Sequence, residues 1–93
     1  MKFEWDEQKN QSNIEKHGIA FVTATIVFDD PNRIEYYDME HSSYEEDRYI
    51  TIGMVGDFVS ILTVVYTDRK EVIRIISARR ATKEEEKAYY DHI

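Results

Sequence analysis

The spacing of hydrophobic and polar positions changes several times along the chain, and each change marks an element. Phe3 and Trp5 alternate with Glu4, which predicts a short edge strand. Asp6 is a good N-cap, and Glu7 to Lys16 runs without a breaker as far as Gly18, a suitable helix end. That helix is oddly polar: Ile14 is its only aliphatic residue, and Asn10, Asn13, Ile14 and His17 share one face. Ile19 to Phe28 fits two periods. Its β-branched residues (Val22, Thr23, Thr25, Ile26, Val27) lean towards strand, while apolar positions at 19, 22 and 26 and at 21, 24 and 28 allow a buried helix. Asp29-Asp-Pro-Asn32 ends it either way.

The second half is easier to read. Arg33 to Tyr37, with Ile34 and Tyr36 alternating, predicts a strand, and Asp38 to Asp47 a polar loop. Arg48 to Val55, Gly56-Asp57 and Phe58 to Tyr66 form a hairpin pattern with glycine where a type II′ turn prefers it. Ile50, Ile52 and Met54 line one face of its first strand, with Arg48 on the same side. The second strand is apolar on both faces (Phe58, Leu62, Val64; Val59, Ile61, Val65), as a central strand is. After a turn at 67–70, Val72 to Ala78 predicts a last strand ending in Arg79 and Arg80. Strict alternation puts Ile73, Ile75 and Arg79 on one side and Arg74, Ile76 and Arg80 on the other, so the two terminal arginines diverge. Thr82-Lys-Glu-Glu85 is a capping box opening a final helix, with Tyr89, Tyr90 and Ile93 grouped.

Ninety-three residues suit one domain spanning 1–93, and 42% hydrophobic content is too high for a disordered chain. Without cysteine there is no disulfide framework or thiolate chemistry. The polar opening, Met1-Lys-Phe-Glu-Trp-Asp6, lacks the apolar core of a signal peptide, and no apolar run is long enough to span a bilayer. A cytoplasmic protein is expected. The net charge of −7 argues against general nucleic-acid binding, but the charge is segregated. Residues 29–47 hold eight acids against Arg33, whereas residues 69–83 hold six bases against Glu71.

His17, His41 and His92 lack metal-ligand spacing, no glycine-rich loop could cradle a nucleotide, and Ser77 lacks any sign of a nucleophile elbow. What remains suits metal-free phosphodiester chemistry: Lys16-His17 at a helix end, Arg48 at a strand start, Arg79-Arg80 at a strand end, and Tyr89-Tyr90 beyond. Cleaving RNA without a metal requires deprotonation of the 2′-hydroxyl, stabilisation of phosphoryl charge and protonation of the leaving oxygen. Imidazole suits the proton transfers, and arginine or lysine the charge. Each residue also has a structural alternative. His17 can serve the helix dipole, Arg48 can pair with the neighbouring acids, and the tyrosines can pack the helix on the sheet.

Two blocks of sequence bear on that choice. Phe3-Glu-Trp-Asp6, Lys9, Asn13 and Lys16-His-Gly-Ile-Ala-Phe21 resemble the N-terminal signature of the BrnT family, toxins of type II toxin–antitoxin systems. Phe28-Asp29, Glu46-Asp-Arg48, Gly53, Ile73-Arg-Ile-Ile-Ser-Ala-Arg79, Ala81 and Tyr89 continue the match over nearly the whole chain. The resemblance implies an α+β, RelE-like fold: an antiparallel sheet with two N-terminal helices and one C-terminal helix. It thereby implies helix over Ala20 to Phe28. It also implies a metal-independent ribonuclease, without cofactor, that cleaves RNA and inhibits translation. The implied partner is a BrnA-like ribbon-helix-helix antitoxin, which neutralises the toxin and with it represses their operon. On that resemblance the catalytic candidates are His17 as acid/base or helix-end phosphate contact, Arg48 and Arg79 at the scissile phosphate, Arg80 assisting, and Tyr89 positioning a base or packing beneath. Lys16 and Arg74 are the substrate-binding candidates. The acidic 29–47 segment is expected to steer a basic part of the antitoxin. The alternatives are a non-catalytic interaction module or decayed toxin acting only in a repressor complex, and a toxin of the same fold with another target such as a topoisomerase.

Overall fold

The structure, a computed structural model, describes residues 1–42, 46–56 and 60–93. Its elements are β1 (Lys2–Glu4), α1 (Glu7–His17), α2 (Phe21–Ala24) with a 3₁₀ turn at Thr25–Asp29, β2 (Ile34–Tyr37), β3 (Tyr49–Val55), β4 (Ser60–Arg69), β5 (Val72–Arg80) and α3 (Lys83–His92). One five-stranded sheet runs in the order β1-β5-β4-β3-β2. The architecture is α+β, but the sheet is mixed, because β1 joins β5 in parallel while the other pairs are antiparallel. β4 is the middle strand, as its two apolar faces require. Asp57, Phe58 and Val59, which the hairpin reading includes, lie outside the described residues. Among those described, no helix is long and apolar enough to cross a membrane.

The strand-leaning reading of Ile19 to Phe28 is overturned. Phe21, Ala24, Val27 and Phe28 face the sheet at helical spacing, while Val22 and Ile26 are exposed. The second N-terminal helix is shorter than expected: a single α-helical turn runs on as 3₁₀ and ends at Asp30. Gly53 lets this segment approach β3, since a Cβ there would lie 2.9 Å from Val27 Cγ1 and 3.0 Å from Arg33 Cβ.

The sheet buries both faces unequally. α1, α2 and the 3₁₀ turn cover one face over Leu62, Val64, Tyr66, Ile73, Ile75 and Ala78. On the other, α3 packs mainly over β3, with Tyr89 set against Ile34, Ile52 and Ile61. The polar face of α1 is its buried one. Asn13 Nδ2 donates to the Ile19 and Ala78 carbonyls, both at 2.8 Å, and Oδ1 accepts from Ala78 N–H at 3.2 Å. β1 covers that edge of β5 only as far as Arg74. The Asn13 amide therefore stands in for a strand residue beyond it, satisfying backbone groups that burial would otherwise orphan.

A bulge in β5 corrects the expected facing of its arginines. Val65 pairs with Ser77 but Tyr66 pairs with Ile75, so Ile76 is the extra residue and the alternation shifts by one. Arg79 thus faces the α3 side, opposite Ile73 and Ile75, and Arg80 faces the α1 and α2 side. The two do diverge, with their sides exchanged.

Candidate functional site

The register brings most of the candidate cations to one face. Beyond the part that α3 covers, β4 presents Thr63, Val65 and Thr67, and β5 presents their partners Arg79, Ser77 and Arg74. Arg48 immediately precedes β3 and, by alternation, falls on the side of Ile50, which packs with the α3 cluster. Arg48, Arg74 and Arg79 therefore share a sheet face. Thr67, opposite Arg74, lies four residues from Thr63, opposite Arg79, a separation of about 13 Å along the strand.

Each of these arginines lies near a carboxylate. Arg79 makes a two-point contact with Glu85, Nη1 to Oε1 at 2.6 Å and Nη2 to Oε2 at 3.0 Å. Glu85 is also the third helical residue of α3, where its carboxylate closes the capping box by accepting from Thr82 N–H at 2.8 Å. Burial would raise the Glu85 carboxyl, but the Arg79 fork, the Thr82 N–H and the nearby Thr63 hydroxyl outweigh it and bring it down to about 2. Arg74 pairs with Glu4 at 3.4 Å. Glu46 is bound by Arg69 and also feels the charges of Arg48 and Arg74, all of which hold its carboxyl below the usual range. Two positions on this face thus hold carboxylates among guanidiniums, the geometry in which arginine receives phosphate oxygens.

Between them lie two hydroxyls that sequence reasoning did not single out. Thr63 and Thr67 are 1% and 0% exposed, and among the described residues neither Oγ1 makes a hydrogen bond of normal geometry. Thr63 Oγ1 lies close enough to Glu85 to act on its charge without a bond of normal geometry. Unpartnered buried hydroxyls are uncommon enough to demand a reason. Their signal in the sequence is a pair of threonines four residues apart, on one face of the apolar central strand.

The helix-end candidates rim this face. α1 ends at His17, and Gly18 in the left-handed region (φ 71°) caps it by donating to Ile14 O. Lys16 and His17, both exposed, line a groove of about 200 Å³ together with Lys9, Ser12, Ile76 and Ser77. Ser77 belongs to the arginine-bearing face, so the groove adjoins it across the β5 edge. Two candidates do not join. Arg80 lines a separate groove with Gly18, Ile19 and Thr23 on the α1 and α2 side. Tyr89 is 1% exposed beneath α3, where its hydroxyl donates to Asp30 Oδ2 at 2.5 Å. Burial, then that hydrogen bond, push its phenol up to about 12. Asp30 Oδ2 also accepts from Met54 N–H at 2.8 Å, capping β3 past the end of β2. Of the two readings of Tyr89, this geometry is that of packing beneath the site. Among the described residues no three His, Asp or Glu side chains gather as a metal-ligand set.

Residues 5–85 of the chain match a family model described as the ribonuclease toxin BrnT of type II toxin–antitoxin systems. No curated protein matches the chain.

Proposed function

The chain belongs to the BrnT family of ribonuclease toxins of type II toxin–antitoxin systems, and on that premise we propose that it is a metal-independent endoribonuclease whose substrate lies on the arginine-bearing face of the sheet. The observation that carries this reading is the gathering there of Arg48, Arg74 and Arg79 around the buried threonines Thr63 and Thr67. In cleavage the RNA 2′-hydroxyl gives up its proton and attacks phosphorus. The bond to the 5′-oxygen breaks, and that oxygen takes up a proton, leaving a 2′,3′-cyclic phosphate and a 5′-hydroxyl. Arg79, released from Glu85 by the incoming phosphate, stabilises the added charge, with Arg48 and Arg74 on the flanking phosphate. His17 is the candidate for proton transfer at the rim, Lys16 adds positive charge beside it, and Tyr89 supports the site from below. Arg80 lies outside this arrangement.

As a type II toxin the chain has an antitoxin partner. We propose a BrnA-like ribbon-helix-helix protein that blocks the site and with the toxin represses their operon, in the cytoplasm. The fold, as one domain over 1–93, is proposed to be RelE-like. A second reading is a non-catalytic module, favoured by the carboxylates that already occupy Arg74 and Arg79. Induction of the chain alone separates the two. The ribonuclease arrests growth with cleaved RNA, and Arg79→Ala relieves both in a soluble, folded variant while Arg80→Ala does not. Healthy growth with intact RNA at confirmed soluble expression would leave the module.

A further inference from the structure

The charges are distributed differently in space and along the chain. Half of the six bases of the 69–83 segment are neutralised within the fold, because Arg69, Arg74 and Arg79 hold Glu46, Glu4 and Glu85. The cations of α1 are not. Among the described residues neither Lys9 nor Lys16 makes an ion pair, and both are exposed. Lys9, Ser12 and Lys16 fall at three-, four- and seven-residue spacing and so form one stripe along the helix. Of the α1 carboxylates, Glu7 is bound by Trp5, Asn10 and Gln11, while Glu15 lies about 100° round the axis from Lys16 and lines a neighbouring groove with Ser12 and Lys16 that Lys9 and Ser77 do not share. The stripe and Ser77 line one groove, which adjoins the arginine-bearing face at the β5 edge.

We propose that this groove is a second substrate subsite, in which Lys9, Ser12, Lys16 and Ser77 hold the sugar–phosphate backbone of single-stranded RNA leaving the cleavage site. The inference rests on the ribonuclease reading and extends it. Lys9 and Lys16 lie two helical turns apart, about 10 Å along the axis, so they serve neighbouring phosphates and not a single one. Ammonium groups suit this task, since they attract phosphate as mobile point charges without demanding a fixed orientation. Hydroxyls at Ser12 and Ser77 add donors on either wall. An acidic protein as a whole can hold RNA this way because Lys9 and Lys16, exposed and without an ion pair among the described residues, stand together along this groove.

The test is kcat/KM for cleavage of a single-stranded RNA by the purified chain at several salt concentrations. Lys9→Glu is compared with Lys2→Glu, which makes the same charge change on exposed β1 at the far end of β5. The expected result is a roughly tenfold fall in kcat/KM for Lys9→Glu, carried by KM with kcat unchanged. The salt slope should become shallower by about 0.7 for each phosphate that the variant no longer neutralises. Lys9→Arg should retain wild-type values, as should Lys2→Glu. Equal behaviour of Lys9→Glu and Lys2→Glu, with wild-type protein cleaving normally, would overturn the subsite and leave the ribonuclease standing. No cleavage by wild-type protein would overturn the ribonuclease reading and the subsite with it.

Discussion

Arg79 and Glu85 meet through both nitrogens and both oxygens, at 2.6 and 3.0 Å, and the same carboxylate closes the N-terminus of α3. One side chain therefore ties the end of β5 to the start of the last helix and occupies the guanidinium assigned to phosphate.

Glu85→Gln keeps a capping side chain but removes the charge, so it isolates the ion pair. With the pair part-exposed, the expected loss is about 1–2 kcal/mol at neutral pH. The carboxyl is depressed from its ordinary 4.5 to about 2, so its contribution is complete above the unfolded value and disappears as pH falls through the folded one. Urea midpoints of wild type and Glu85→Gln should thus converge as pH drops from about 5 to about 2. A difference that stays constant over that range would mean the charge plays no part.

Asn13 supports the opposite layer, and its removal should cost more. Asn13→Ala leaves the Ala78 N–H and the Ala78 and Ile19 carbonyls without their partner in a buried setting, a cost of about 2–4 kcal/mol. Asn13→Asp should be worse, since a buried carboxylate would then face two carbonyl oxygens. Chemical denaturation checks the order; an Asp variant as stable as wild type would contradict the strand-mimic role.

Gly53 and Gly56 offer a contrast within one strand and its turn. Alanine at 53 meets Val27 and Arg33 at 3.0 Å or less, an overpacking expected to cost about 1–3 kcal/mol. Alanine at 56 meets nothing within 4 Å among the described residues and bears the strain of φ +75°, about 1 kcal/mol. Thermal melts of the two variants should rank accordingly, and the reverse order would show that the 3₁₀ segment can retreat from β3.

Much of this architecture is legible in the residues. Asp6 and Gly18 bound α1, the Thr82–Glu85 box opens α3, and the double-faced hydrophobicity of Ile61 to Val65 marks the central strand. The misreadings arise where tertiary packing outweighs local pattern. β-branched residues at 22 and 26 look like strand, but the sheet needs only Phe21, Ala24, Val27 and Phe28, and helical spacing supplies those. The bulge at Ile76 has no local signature, since no glycine marks it, and it exchanges the faces of Arg79 and Arg80. Lys70 and Glu71 likewise make a tight turn at φ 49° and 74° without the usual glycine or asparagine. Arg79 and Lys16-His17 can be named from sequence as candidates for a phosphate site. The carboxylates that hold the arginines, and the hydroxyls of Thr63 and Thr67, depend on register and emerge only from the fold.

Tyr89→Phe tests how the site is supported. The phenol is buried, donates to Asp30, and is raised to about 12, so it remains protonated throughout the physiological range. Because its folded value lies above the unfolded one of 10.0, the hydrogen bond contributes stability below that pH and loses it as pH climbs towards the folded value. Removing the hydroxyl should cost about 1–2 kcal/mol and should leave Asp30 still accepting from Met54 and Asn32. If Tyr89 acts only from beneath, the folded variant retains wild-type kcat and KM, and alkaline titration followed by phenolate absorbance loses one of its two late-titrating buried components, leaving that of Tyr66. A large fall in kcat without loss of stability would instead make the phenol a group that reaches the reacting phosphate, which would require α3 to move when RNA binds.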